Sequence, residues 1–145
     1  MAPLVVLITV TLAVRGLGML GVEPLNGWPA AVTVGLSAMF VVTASAHFSR
    51  TRRPALIAMV PPRLPRPGLV VTTTGLLELA GAAGLLAPAT RTAAGICLAL
   101  LLVVMFPANV HAARTSTGVR TMPLPARSAL QVVFVAACLV AAFAG

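Results

Sequence analysis

Five apolar runs, each close to the ~20 residues that a helix needs to cross ~30 Å of hydrocarbon, divide this chain of 145 residues and leave short connectors between them. They cover about residues 3–21, 29–48, 68–87, 93–113 and 127–145. In a bilayer every backbone N–H and C=O must find its partner inside the protein, so runs of this length fold as helices. The expectation is an all-α transmembrane helix bundle forming a single membrane-embedded domain over residues 1–145. Composition points the same way: 59% of the residues are hydrophobic and 8% charged, and the mean hydropathy is +1.06, well outside the range of soluble domains.

The formal charge of +8 comes from ten arginines and two glutamates, with no lysine or aspartate. Such a balance can serve nucleic acid. Here, however, most of the arginines lie in short segments between apolar runs, where the positive-inside rule puts them, and nucleic acid is set aside. The first run carries Arg15 after its apolar core, and no A-x-A cleavage motif follows, so a retained span is expected rather than a signal peptide. Residues 50–68, RTRRPALIAMVPPRLPRPG, contain five arginines and five prolines and cannot form a spanning helix. Their apolar middle, residues 55–60, is expected along the membrane surface, followed by a rigid extended turn. With a cytoplasmic N-terminus, the loops after the second and fourth runs hold seven arginines, Arg127 sits at that boundary, and only Arg91 lies outside. That asymmetry predicts an N-in, C-out, multi-pass protein of the plasma (inner) membrane.

Glu78 interrupts the third run, in GLVVTTTGLLELAGAAGLLAP at residues 68–88. Charge in hydrocarbon costs at least ~2.5–3.5 kcal/mol on insertion scales, so such a side chain faces the bundle and takes a partner. At ~1.5 Å per residue, Arg15 and Glu78 fall at similar depth and are candidates for an ion pair. Helical spacing puts Glu78 on one face with Thr74, Gly75, Gly81 and Leu85. The second and fourth runs cross in the opposite sense, which brings His47, Asn109 and His111 near the cytoplasmic boundary, close to residues 72–74 and Gln131. An inner-half polar cluster follows. It is either a pocket for a ligand, proton or quinone headgroup that opens inward, or interhelical hydrogen bonding worth ~0.6–2 kcal/mol per contact. Glu78 and His47 are the candidate catalytic groups, and Arg15, Thr74, Asn109, His111 and Gln131 the candidate ligand-binding ones.

Other chemistries find less support. His111 lies ~200° around its helix from Asn109, so the two cannot address one centre, and haem or another metal is disfavoured. Cys97 and Cys138 stand in separate runs without a CxxC pair, and packing as small hydrophobes is their simplest role. The absence of aspartate removes a Ser-His-Asp triad, and no phosphate-binding loop is present.

Several short motifs recur in a recognisable order: His47-Phe48; Met59-Val60-Pro61-Pro62 with Leu64-Pro65; Thr74-Gly75 with Glu78, Gly81 and Gly84-Leu85-Leu86-x-Pro88; Thr90-Arg91; and Phe106-Pro107-Ala108-Asn109-Val110. Their order and spacing resemble the DoxX-like family of small bacterial membrane proteins. The resemblance covers about residues 44–110, with a fainter echo at Arg127 and Gln131. It implies a four-helix core made by runs two to five, to which the first run, with Arg15, is an addition. It also implies links to quinone-coupled sulfur oxidation, to thiol and oxidative-stress complexes or, in distant animal relatives, to receptor assembly. Three functions stay open. One is a membrane subunit of a redox system that binds a quinone or other lipid-phase molecule. The second is a non-catalytic scaffold for a soluble partner, and the third a membrane enzyme of isomerase or cyclase type acting on an apolar small molecule. The partners expected are the lipid bilayer, a soluble or membrane redox protein at the arginine-rich cytoplasmic loops, and a second copy of the chain.

Overall fold

The computed structural model describes residues 2–115 and 122–144. Among these residues the chain is all-helical: α1 (Ala2–Met19), α2 (Trp28–Phe48), α3 (Arg53–Met59), α4 (Pro67–Leu86), α5 (Arg91–Arg114) and α6 (Leu124–Phe143). A 3-10 turn, Glu23–Leu25, links α1 to α2. All of these helices except α3 are long and apolar enough to cross a membrane, and the chain is a multi-pass membrane helix bundle. Prolines mark the starts. Pro29, Pro54, Pro67 and Pro125 sit in the first turns of α2, α3, α4 and α6, where the ring's fixed φ suits the helix and the missing amide is not needed. The outward faces are apolar as well, with Leu76, Leu77, Val103, Val104 and Val132 exposed. Helices that are apolar all round belong in lipid.

Helix α2 packs on α4, α4 on α5, α5 on α6, and α6 returns to α2, closing a four-helix ring, while α1 packs against α2. Leu36, Met39 and Phe40 of α2, Leu85 of α4, Leu98 of α5 and Cys138 of α6 fill its core. Two hydroxyls tie neighbouring helices: Ser37 donates to the Ala82 carbonyl at 2.8 Å, and Thr92 to the Ala142 carbonyl at 2.9 Å. The α1 helix reaches α2 because position 35 is glycine. A Cβ there would overlap the Thr11 hydroxyl and stand 2.9 Å from the Leu7 carbonyl oxygen, and small residues of this kind let backbones meet in lipid. Both cysteines are free thiols, Cys138 buried in the core and Cys97 exposed.

The arginine-rich connector differs from its expected form. Its apolar middle forms α3, which packs on α2, α4 and α5 across one end of the ring. Arg53 explains this. Its Nη1 donates to the His47 carbonyl at 2.7 Å, and its Nη2 to the Gly68 carbonyl and the Thr72 hydroxyl, both at 2.9 Å. One guanidinium therefore caps the end of α2 and fastens it to the first turn of α4. The proline-rich stretch doubles back rather than running extended: the Leu64 amide bonds to the Pro61 carbonyl at 3.0 Å, and Arg66 takes a left-handed conformation with φ 53°. At the opposite end, Thr90 and Arg91 cap α4 by donating to the Gly84 and Leu85 carbonyls. Arg120, counted above among the inner arginines, falls outside the described residues.

Candidate intramembrane binding site

Glu78 turns inward because α4 buries one face, formed by Val71, Gly75, Glu78, Ala82 and Leu85 at helical spacing. Only 4% of Glu78 is exposed. Its Oε2 accepts a hydrogen bond from the Thr43 hydroxyl of α2 at 2.8 Å, and His47 Nδ1, one turn further along α2, lies 4.0 Å from the same oxygen. Nδ1 also stands 3.1 Å from the Thr43 carbonyl. A carbonyl can only accept, so Nδ1 carries the ring proton of the neutral imidazole. The imidazole fits against α4 because residue 75 is glycine: a Cβ there would lie 2.7 Å from His47 Cβ and 2.9 Å from its Cγ.

The Thr43 hydroxyl has two acceptors in reach, Glu78 Oε2 at 2.8 Å and the Phe40 carbonyl at 3.0 Å. Its single proton serves one of them at a time. When Glu78 is a carboxylate, Thr43 donates to it. When Glu78 is protonated, the carboxyl donates to Thr43, whose own proton turns to Phe40. Both states of Glu78 thus keep a hydrogen-bond partner, a tolerance that a carboxylate locked to an arginine lacks.

A cavity of about 800 Å³ opens beside Glu78 within the ring, a size suited to small molecules. Met39, Phe40 and Thr43 line it from α2, Glu78 from α4, Leu102 and Asn109 from α5, and Arg127, Leu130, Gln131 and Phe134 from α6. Pro3, Leu56 and Met122 complete it from the arginine-rich end. Arg127 is itself anchored, donating from Nη1 to Asn109 Oδ1 at 3.2 Å and from Nε to the Met122 carbonyl at 3.0 Å. The polar groups are a carboxyl, a hydroxyl, two amides and a guanidinium on otherwise apolar walls. Among the described residues no three His, Cys, Asp or Glu side chains gather. This donor set suits an organic molecule with an apolar body.

Of the residues singled out from the sequence, Glu78, Asn109 and Gln131 line the cavity, and His47 adjoins Glu78. Three others stand elsewhere. Arg15 donates to Asn26 Oδ1 at 2.8 Å and lies 5.7 Å from the centre of the Trp28 ring, so it does not pair with Glu78. The two share neither a depth nor a direction: Trp28, beside Arg15, and Thr43, bonded to Glu78, stand toward opposite ends of α2, ~22 Å apart along its axis. Helix α1 meets α2 at Gly35 and α4 meets it at Ser37, ~200° away around the helix. Thr74 turns its hydroxyl back to the Val70 and Val71 carbonyls of its own helix. His111 is half-buried away from the cavity, its carbonyl accepting from Thr115. Two cavity residues, Thr43 and Arg127, were not singled out. Their signal is periodic: each stands four residues before a polar partner on the same helix face, Thr43 before His47 and Arg127 before Gln131.

Residues 36–142 match the family model described as a domain of unknown function, DUF8561. The chain belongs to this family. The DUF8561 match begins inside α2 and ends inside α6, so it takes in the four-helix ring and its cavity and leaves α1 outside. Neither a curated protein nor a solved structure matches the chain.

Proposed function

We propose that this DUF8561 protein is a DoxX-like membrane subunit of a redox system in the plasma (inner) membrane, and that its cavity binds a quinone or a similar lipid-phase small molecule. The observation that carries this reading is Glu78, a carboxyl in the wall of an otherwise largely apolar cavity, whose Thr43 partner accommodates it with or without its proton. Reduction of a quinone takes up protons as well as electrons, and a carboxyl tolerant of both states is suited to pass them on. His47, 4.0 Å away at the end of α2, is the next group toward the arginine-rich end and carries the proton between Glu78 and the aqueous side. Arg50, Arg52, Arg63 and Arg66 are exposed at that end and form the surface for the electron-transfer partner.

Protein purified in mild detergent, extracted and analysed by mass spectrometry, is expected to carry quinone. Calorimetric titration in nanodiscs with a benzoquinone bearing a decyl tail is expected to show saturable binding, weakened about ten-fold by Glu78→Gln, the effect of one buried hydrogen bond to a charged or acidic group. A purified protein with no bound quinone and no affinity for the probe would sink the reading.

A further inference from the structure

The cavity has two chemically different walls. On α2 and α4 stand Thr43 and Glu78, the pair that accepts or offers a proton. Diagonally across the ring, α5 and α6 contribute Asn109, Arg127 and Gln131 to the same cavity. This second wall is rich in donors. Asn109 Oδ1 accepts from the Arg127 guanidinium, which can only donate, and this orientation leaves the N–H groups of the Asn109 amide to donate. Arg127 keeps N–H donors beyond its bonds to Asn109 and Met122, and no carboxylate pairs with it among the described residues. Gln131 Nε2, one turn further along α6, is out of solvent and without a partner among the described residues. A buried donor left unmade is destabilising by ~1–3 kcal/mol, and its retention at a cavity wall marks a place where something else accepts.

We infer that Arg127, Gln131 and Asn109 form a subsite for an oxygen acceptor at one end of the ligand, a carbonyl or a carboxylate carried on an apolar body. Met39, Phe40, Leu130 and Phe134 hold that body. A molecule filling the cavity therefore lies across the ring, with its acceptor oxygen on α6 and its second polar end, where it has one, at Glu78. A para-quinone meets both walls; a fatty acid meets only the α6 wall. The inference rests on the proposed use of the cavity, but the α6 subsite is separable from the quinone reading, because a one-ended acceptor tests it alone.

The test titrates two probes, the decyl-tailed benzoquinone and decanoate, into wild type, Glu78→Gln, Gln131→Leu, Arg127→Met and Arg127→Lys in nanodiscs. Gln131→Leu is the decisive variant. It removes a donor that has no partner among the described residues, so thermal stability is expected to hold or rise while affinity falls about ten-fold; a purely structural glutamine would lose stability and leave binding unchanged. Arg127→Met is expected to weaken binding at least as much, with partial recovery in Arg127→Lys, which keeps the charge but loses the planar fork. Quinone binding that falls in all these variants supports the subsite. Decanoate binding that depends on Arg127 and Gln131 but not on Glu78, with no quinone binding, also supports it and overturns the quinone reading instead. Unchanged affinity of both probes in Gln131→Leu, or no binding of either probe to wild type, overturns the subsite.

Discussion

Arg52 and Arg53 are neighbours in an arginine-rich connector, yet the structure gives them opposite roles, and replacing each by methionine separates them. Arg53 bonds to the His47 carbonyl, the Gly68 carbonyl and the Thr72 hydroxyl, whereas Arg52 is exposed. Arg53→Met keeps an apolar stem and removes every donor. Thr72 retains its own bond to the Gly68 carbonyl at 3.0 Å, so neither of those groups is orphaned. The main loss falls on the His47 carbonyl, one of the last of α2, which has no intrahelical partner of its own. One charged hydrogen bond of this kind contributes ~1.5–3 kcal/mol, and the half-buried position of Arg53 puts the expected loss near ~2 kcal/mol. Arg52→Met is expected to change stability by less than ~0.5 kcal/mol. The assay is equilibrium unfolding in mixed micelles with increasing SDS, followed by helical circular dichroism. Superimposable curves for the two variants would refute the clamp and return Arg53 to the pool of free surface charge.

Gly75→Ala is expected to lower stability by ~1–3 kcal/mol in the same assay, because the new methyl meets His47 Cβ, which no rotamer can move away. Gly16→Ala, where nothing lies within 4 Å, serves as the control and is expected to be neutral or stabilising by up to ~1 kcal/mol; equal losses at the two positions would remove the argument for close packing at Gly75. Arg15→Met and Glu78→Gln are expected to be additive within ~0.5 kcal/mol in a double-mutant cycle, since Arg15 is held by Asn26 and Trp28. Coupling above ~1 kcal/mol would reinstate the intramembrane ion pair.

Much of the architecture follows from the chain alone. Apolar runs of about membrane length dictate the five long helices, because lipid leaves the backbone no other way to satisfy its polar groups. Prolines mark where most of those helices start, and Glu78 had to face inward, since hydrocarbon does not solvate a carboxylate. Relative depth was not legible from a count along each helix, which set Arg15 level with Glu78 although they lie toward opposite ends of α2. Nor was the identity of neighbours. Which face of α2 meets α1 and which meets α4 depends on the notches at Gly35 and Gly75 and on the Ser37 bond to Ala82. Those choices send Arg15 to Asn26 rather than to Glu78, put Arg53 under α2 instead of on a docking surface, and bring Arg127 and Gln131 of α6 to the cavity that Glu78 lines. Sequence position orders the side chains along each helix; only packing sets how far neighbouring helices slide past one another and which way a side chain points, and together these decide what it touches.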